Sequence, residues 1–514
     1  MSGTEVTSKQ ATTVIAKPIS GDYRIDVLLE DASYRWNILG ELGTAVEVTY
    51  SFMSSAPTYA GDDDKKGFTV FNEKQQQAVK QILAEIAQHF GISFRLVDDT
   101  ASSFGQIRFG NNDQGETSAG YAVMPNSSGK PDDGDVYINN KVAENLDNIV
   151  PGTNAYATLV HEIGHAIGLK HPGNYNAGEA ASTEKGNYLA SSEDSEATTV
   201  MSYVKTPQQL ERDFYGKYDF LALQYLYGAR AFNAGDTVYS FGEGSMDRLQ
   251  IIDDSGGTDV FDASKSTTVA QIDLRPGGSS SLGKLADGNA ALDTITIAYS
   301  ATIENAIGSR FDDIITGNDA QNRIRGGAGD DTINGGAGID FALYGGSRSS
   351  FQIVADKGSW KVTHADGSEG VDTLTNVERL QFSDGYLAID MDGSAGRVAK
   401  LLGAIFGKSF VANQNYAGIG LRYFDSGFSY EQLTKLAYNV AIGANHTSSQ
   451  LVDLIARNVY SSVWTETDKA SFLSKLDAGT LTQEAFVITA AESSNNAVNI
   501  DLVGLNQVGL KYLA

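Results

Sequence analysis

The chain has 514 residues, 41% apolar and 20% charged, which fits folded soluble proteins and, at roughly 100–200 residues per domain, implies about three domains. Asp and Glu total 64 against 38 Lys and Arg, and the resulting formal charge of -26 argues against nucleic acid or anionic lipid as partners and favours metal cations. There is no cysteine, so disulfides and thiolate chemistry are excluded, and 55 glycines against 8 prolines indicate many turns rather than polyproline linkers.

Met1–Ser20 lacks the basic region and apolar stretch of a secretory signal, and no run of apolar residues is long enough to predict a membrane span. Val46–Phe52, Gly105–Phe109 and Val136–Ile138 read as strands. Between the first two, Asn72 and Gln75 are spaced for a capping box, and Val79, Ile82, Leu83, Ile86 and Phe90 form the apolar face of a helix that ends at Gly91. These residues are scaffold and carry no chemistry.

Chemistry begins on a predicted helix over 154–168, which carries His161, Glu162 and His165 in the run HEIGHAIGLKH. Residues four apart share a helix face, so both imidazoles reach one ion with Glu162 beside them. Gly168 permits a sharp exit that brings back His171, and Pro172 discourages continuation of the helix. Three neutral imidazoles leave one zinc position open for water. Three of the six histidines lie in this run, whereas His89, His364 and His446 are isolated and receive no function.

The run from His161 to His171 fits the metzincin pattern HExxHxxGxxH, and its continuation through Pro172, Gly173, Asn174, Tyr175 and Asn176 resembles the serralysin family. Val200-Met201-Ser202-Tyr203 matches the methionine turn of metzincins. The resemblance implies one catalytic zinc held by His161, His165, His171 and, in the free enzyme, Tyr203. It also implies that Met201 lies beneath the imidazoles and that Tyr203 swings away to stabilise the oxyanion. Zinc lowers the pKa of water from 15.7 to about 7, and Glu162 is the expected general base for attack on a peptide carbonyl. An extended substrate is expected to pair with an edge strand at Gln106–Gly110 followed by Ser118–Ala122.

From Gly308 to Leu343 the chain repeats every nine residues, and Gly326–Asn334 matches GGxGxDxUx in full. Stacked turns are expected to bury Ile315, Ile324, Ile333 and Ala342 and to need calcium between their carboxylates. The segment is similar to the parallel β-roll of the RTX family. That similarity pairs Asp313 with Asp331, completed by backbone oxygens of Ser309, Phe311, Gly326 and Ala328. It likewise pairs Asn322 with Asp340, completed by those of Asn318, Ala320, Gly335 and Ala337, a site with one fewer carboxylate that should tighten on Asn322→Asp. Two earlier segments resemble the pair that holds a further calcium in serralysins, with ligands Asn233, Gly235, Thr237, Asp254, Gly256 and Asp259. Phe351–Asp390 alternates like the sheet that closes such rolls.

Beyond Asp392 helical spacing appears at Val398, Leu401, Leu402 and Ile405, at Leu433, Leu436 and Val440, and at Leu451, Leu454, Ile455 and Val459. This predicts a helical domain of surface-attachment, substrate-delivery or roll-capping role. Its apolar tail, Leu502–Leu513, reads either as core or as part of an uncleaved type I secretion signal.

The expected fold is therefore multidomain: residues 1–20 as a propeptide or disordered tail, 21–240 as an α+β metzincin zinc-protease domain, 241–392 as a parallel β-roll, and 393–514 as an all-α domain. The expected function is that of a secreted zinc metalloendopeptidase stabilised by several structural calcium ions. Its implied partners are protein or peptide substrates, a proteinaceous inhibitor and type I secretion machinery. A calcium-dependent adhesive or surface-layer module with a vestigial protease domain is the alternative. The presence of His161, Glu162, His165, His171 and Tyr203 discriminates between the two.

Overall fold

The computed structural model describes residues 20–116, 118–126, 129–175, 188–460 and 464–513. Residues 1–19 of the propeptide segment, and Asn176, lie outside the described residues. The chain forms two compact units, Met1–Val260 with Arg275–Ile303, and Phe261–Leu274 with Glu304–Ala514.

The first unit is built on five strands: β1 (Val46–Phe52), β2 (Ile92–Leu96), β3 (Ile107–Asn112), β4 (Gly120–Ala122) and β5 (Asp135–Asn139). Their order is β2-β1-β3-β5-β4, parallel except for β4, which runs antiparallel to β5 with Tyr121 opposite Tyr137. Helix α1 (Glu73–His89) starts at the expected capping box, with Asn72 accepting from the Gln75 amide and Gln75 accepting from that of Asn72. It buries Val79, Ile82, Leu83 and Ile86, each worth roughly 1.5–3 kcal/mol on transfer from water. Helix α2 (Asn154–Ala166) is capped by Thr153, whose hydroxyl accepts the Tyr156 amide at 3.3 Å. A third helix, α3 (Lys217–Tyr227), completes this core.

The expected substrate edge at Gln106–Gly110 is not an edge. Strand β3 is flanked by β1 and β5, and the outer strand is β4, the second half of the predicted pair. The polar residues that make β3 read as half-exposed are buried and satisfied by groups outside the strand. Arg108 donates to both oxygens of Asp99 at 2.9 Å, and Asn111 accepts from Gln75 at 2.7 Å.

In the second unit, each nonapeptide contributes a three-residue strand that pairs in parallel with the strand two repeats on. Ile314–Thr316 lies beside Thr332–Asn334, and Arg323–Arg325 beside Phe341–Leu343. Ile315, Ile324, Ile333 and Ala342 are buried as predicted. The two stacks continue into Val371–Thr375 and Arg379–Phe382, which are not repeats. Arg379, fully buried, is held by Asp390 and by Asp425 at 3.1 Å. The helices after residue 393 pack around Val398, Leu402, Ile405, Leu433, Leu451, Ile455 and Phe486. Val440, expected on the buried stripe, is instead 60% exposed. The tail forms a helix, Leu502–Val508, and a strand, Leu510–Tyr512, that pairs antiparallel with Gly385–Ala388 and buries Leu510 and Tyr512.

Candidate metal centre and active-site cleft

Helix α2 presents His161 and His165 one turn apart, and the chain then reverses at Gly168, whose φ of +110° favours glycine. A side chain there would also strike the Tyr34 carbonyl oxygen, 2.2 Å from an ideal Cβ. The reversal returns His171, so that its Nε2 lies 3.1 Å from that of His161 and 3.0 Å from that of His165. His161 Nδ1 faces the Val200 carbonyl at 2.8 Å, and His165 Nδ1 faces the Leu169 carbonyl at 2.7 Å. Carbonyls only accept, so each Nδ1 carries the proton and each Nε2 turns a lone pair toward the cluster. Burial and the neighbouring imidazole of His171 push His161 down to about 3, and burial likewise holds His165 well below the usual histidine range. Neutral imidazoles converging in this way fit zinc.

Glu162 follows His161 on the helix, and its Oε2 is buried without a hydrogen-bond partner. Burial pushes its carboxyl up to about 8. Gly120 at the start of β4 packs against it, since a Cβ there would lie 3.0 Å from Glu162 Cγ and 3.1 Å from Oε1. Gly164 plays a matching part below the cluster, where a Cβ would meet Met201 Sδ at 2.7 Å. Met201 is fully buried there. The Tyr203 ring lies 4.6 Å from that of His171 and 5.7 Å from that of His161, and it is 42% exposed. A cleft of about 1050 Å³ runs past Glu162, His165, His171 and Tyr203 along Gly120–Met124.

Sequence reasoning passed over the supports of this centre. Tyr175 stacks on Tyr203 at 4.8 Å, donates its hydroxyl to Asp194 at 2.8 Å and accepts the Tyr203 amide at 3.2 Å. Asp219 of α3 accepts the Val200 and Gly216 amides at 2.8 and 2.7 Å and the Thr199 hydroxyl at 2.5 Å, and so pins the turn that carries Met201. Tyr175 lies in the run that continues the histidine motif, but the sequence named no partner for it.

The calcium candidates also come together. Asp313 donates its amide to Asp331 Oδ1, and Asn322 donates its amide to Asp340 Oδ1, both at 2.8 Å across eighteen residues. Asp331 and Asp340 are each 1% exposed, and in both Oδ2 is buried without a hydrogen-bond partner. Burial and neighbouring carboxylates raise Asp331 to about 8, and burial raises Asp340 to about 7. Gly327 and Gly336, at φ +124° and +106°, press on the carbonyls of Ser309 and Asn318, while Phe311 and Ala320 back Gly329 and Gly338. Gly326 and Gly335, with Ala328 and Ala337 two residues on, open the facing turns. Orphaned buried carboxylate oxygens among carbonyls fit a hard cation such as calcium.

The stacks do not stop at the repeats. The Asp331 amide donates to Asp372 at 3.1 Å and the Asp340 amide to Glu378 at 2.8 Å. In the first unit, Thr237 donates its amide to Asp259 at 2.8 Å, and Tyr239 bridges Asn233 at 2.9 Å and Asp254 at 2.6 Å. Gly256 donates to Asp254, and Gly235 lies against Gly257. The paired segments 233–237 and 254–259 are therefore in contact.

Residues 7–214 match a family model described as metallo-peptidase family M12, and residues 307–342 match the RTX calcium-binding nonapeptide repeat in four copies. Serralysin of Photorhabdus luminescens is 33% identical over 348 residues, covering 62% of this chain and 68% of that protein. Serralysin of Proteus mirabilis is 35% identical over 321 residues, covering 56% and 63%. Metalloprotease AprA of Pseudomonas entomophila is 30% identical over 347 residues, covering 63% and 67%.

Proposed function

This chain belongs to the serralysin family, a family of zinc metalloendopeptidases that bind calcium, and we propose that His161, His165 and His171 hold its zinc while Glu162 serves as general base. The observation that carries this reading is the convergence of three Nε2 atoms beside a buried carboxylate in a cleft bordered by the edge strand β4. Bound there, zinc supplies Lewis acidity that polarises a carbonyl and lowers the pKa of water from 15.7 to about 7. Glu162 takes a proton from water as its oxygen attacks the peptide carbonyl carbon. It returns that proton to the leaving amine as the C–N bond breaks. Tyr203, whose ring lies beside that of His171, would add its hydroxyl to the zinc ligands in the free enzyme and would offer it to the carbonyl oxygen as charge develops there. The peptide extends the sheet at Gly120–Ala122 and is held by main-chain hydrogen bonds.

The repeats form a parallel β-roll in which Asp313 with Asp331, and Asn322 with Asp340, would hold calcium ions. A further ion is held by 233–237 with 254–259. Residues 21–240 make the catalytic domain, 241–392 the roll and 393–514 a helical domain. No helix among the described residues is long and apolar enough to cross a membrane. Calcium sites of extracellular affinity, about 10⁻⁴–10⁻³ M, fill outside the cell, which supports type I secretion before folding. The adhesive alternative is not favoured, because the ligands and the base are all retained. Casein hydrolysis by wild type and Glu162→Ala, with zinc and calcium supplied, tests the reading. Activity in the wild type alone, with zinc bound to both proteins, is expected; equal activity in both rejects the mechanism.

A further inference from the structure

Both parts assigned to Tyr203, zinc ligand and donor to the developing oxyanion, require a side chain that moves on a backbone that does not. Its ring is exposed in the cleft, while its main chain is held on both sides by hydroxyl groups. Tyr175 Oη accepts the Tyr203 amide at 3.2 Å, and Ser202 Oγ accepts the Val204 amide at 3.0 Å. Each hydroxyl has one proton to give, and both donate to Oδ1 of the buried Asp194, Tyr175 at 2.8 Å and Ser202 at 2.6 Å. The Val204 carbonyl accepts the Glu196 amide at 2.9 Å, which fixes the chain beyond the tyrosine. A single carboxylate oxygen thus orients two hydroxyls, and their lone pairs hold the two consecutive amides about which the Tyr203 side chain turns.

The Tyr175 ring has a separate part. It stacks on that of Tyr203, with centroids 4.8 Å apart and planes at 24°, and lies 5.8 Å from that of His171. Gly173 makes room for it, since an ideal Cβ at that position would fall 1.9 Å from Tyr175 Cε1. The ring therefore offers Tyr203 a flat wall beside the third histidine, while the hydroxyl at its far end reaches the main chain. Phenylalanine in place of Tyr175 keeps the wall and loses the anchor.

We propose that Tyr175 is a positioning residue for the reaction: its hydroxyl, oriented by Asp194, holds the main chain of Tyr203 so that the Tyr203 hydroxyl reaches the metal in the free enzyme and the carbonyl oxygen in the transition state. The inference rests on the peptidase reading of Tyr203 and adds to it the residue on which Tyr203 depends. A donor to an oxyanion is effective only when held in place beforehand, so a loosened Tyr203 loses rate without loss of substrate binding.

The test is a double-mutant cycle of Tyr175→Phe and Tyr203→Phe, with calcium supplied and each preparation normalised to bound zinc. Losing the oxyanion donor in Tyr203→Phe should lower kcat by about 10²-fold. Tyr175→Phe should lower kcat by about tenfold with KM unchanged, and should cost no more than about twofold once Tyr203 is replaced. Copper(II)-substituted protein gives a readout apart from turnover, because a coordinated phenolate produces a visible charge-transfer band. That band should be present in wild type, weakened in Tyr175→Phe and absent in Tyr203→Phe. Equal losses from Tyr175→Phe in both backgrounds, or wild-type kcat and band in Tyr175→Phe, overturn the proposal and leave the reading of Tyr203 standing. Wild-type kcat and band in Tyr203→Phe overturn that reading, and the proposal with it. If Tyr175→Phe does not fold, Asp194→Asn, which weakens the acceptor of the Tyr175 hydroxyl and alters neither ring, goes through the same cycle with the same outcomes.

Discussion

The histidine cluster and the nonapeptide stacks both offer donors that fit a cation, but they differ in what they cost when none is bound. Burial holds His161 and His165 neutral, their Nδ1 atoms are tied to the Val200 and Leu169 carbonyls, and Met201 packs beneath the cluster. Such a centre stays folded without metal, because burying neutral, partly hydrogen-bonded imidazoles carries little penalty. Asp331 and Asp340 instead hold carboxylates in the interior with one oxygen of each unpaired. Their stacks gain stability only when the charge is matched. One metal should govern chemistry and the other folding.

The largest expected effect separates these roles. Glu162→Gln keeps the shape and removes the base, so peptide hydrolysis should fall by about 10²–10⁴-fold. Zinc content by atomic absorption and the thermal midpoint should stay near wild type, since Glu162 lacks a hydrogen-bond partner at Oε2 and its burial as a carboxylate is unfavourable. A large loss of bound zinc in this variant would move Glu162 from chemistry to assembly. Metal removal comes next. Chelating zinc with phenanthroline should abolish activity while shifting the midpoint by a few degrees, whereas calcium depletion should lower the midpoint by about 10 °C or more. Equal midpoints with and without calcium would erase the contrast between the two regions.

A smaller perturbation tests how tightly the substrate edge controls the base. A methyl group at Gly120 would lie 3.0 Å from Glu162 Cγ and 3.1 Å from Ile138 Cδ1, so Gly120→Ala must displace the carboxylate by a few tenths of an ångström. Misplacement on that scale is expected to cut kcat by about tenfold with zinc retained. Full activity in Gly120→Ala would show that Glu162 is not held by the edge strand.

What could be read from the sequence divides along the same line as what is local in the fold. Two imidazoles four residues apart on a helix, a glycine and a third imidazole declare a metal centre within eleven residues. The inward isoleucines of the repeats are likewise set by a nine-residue register. The edge of the first sheet was not legible, because β3 hides its interior position behind Arg108 and Asn111, whose partners Asp99 and Gln75 come from other elements. The Tyr175–Asp194 bond and the ion pairs of Lys205 with Glu196 and Glu211 were missed for the same reason. Asn322 shows a subtler limit. Its side chain reads as a missing carboxylate, yet Nδ2 donates to the Glu304 carbonyl and to Asn318 Oδ1, both at 2.9 Å. Asn322→Asp therefore trades those bonds for any gain in calcium binding.

The smallest expected effect is a pH dependence confined to the calcium-free protein. Asp331 is raised to about 8, and Asp340 and Asp372 to about 7, in each case chiefly by burial, with neighbouring carboxylates adding to it. The unfolded chain releases these protons near the ordinary aspartate value of 3.8, so between about pH 4 and 7 the folded state holds protons that the unfolded state has lost. The contribution is present in full below the unfolded value and disappears as pH rises through 7 to 8. Calcium-depleted protein should therefore melt a few degrees higher at pH 6 than at pH 8. Calcium reverses the preference, because it binds the ionised carboxylates and competes with the protons. At saturating calcium the midpoint should be flat or rise between pH 6 and 8. A calcium-free midpoint that rises across the same interval would mean that the buried aspartates are already matched by a charge within the fold, and that the contrast with the histidine centre is one of geometry alone.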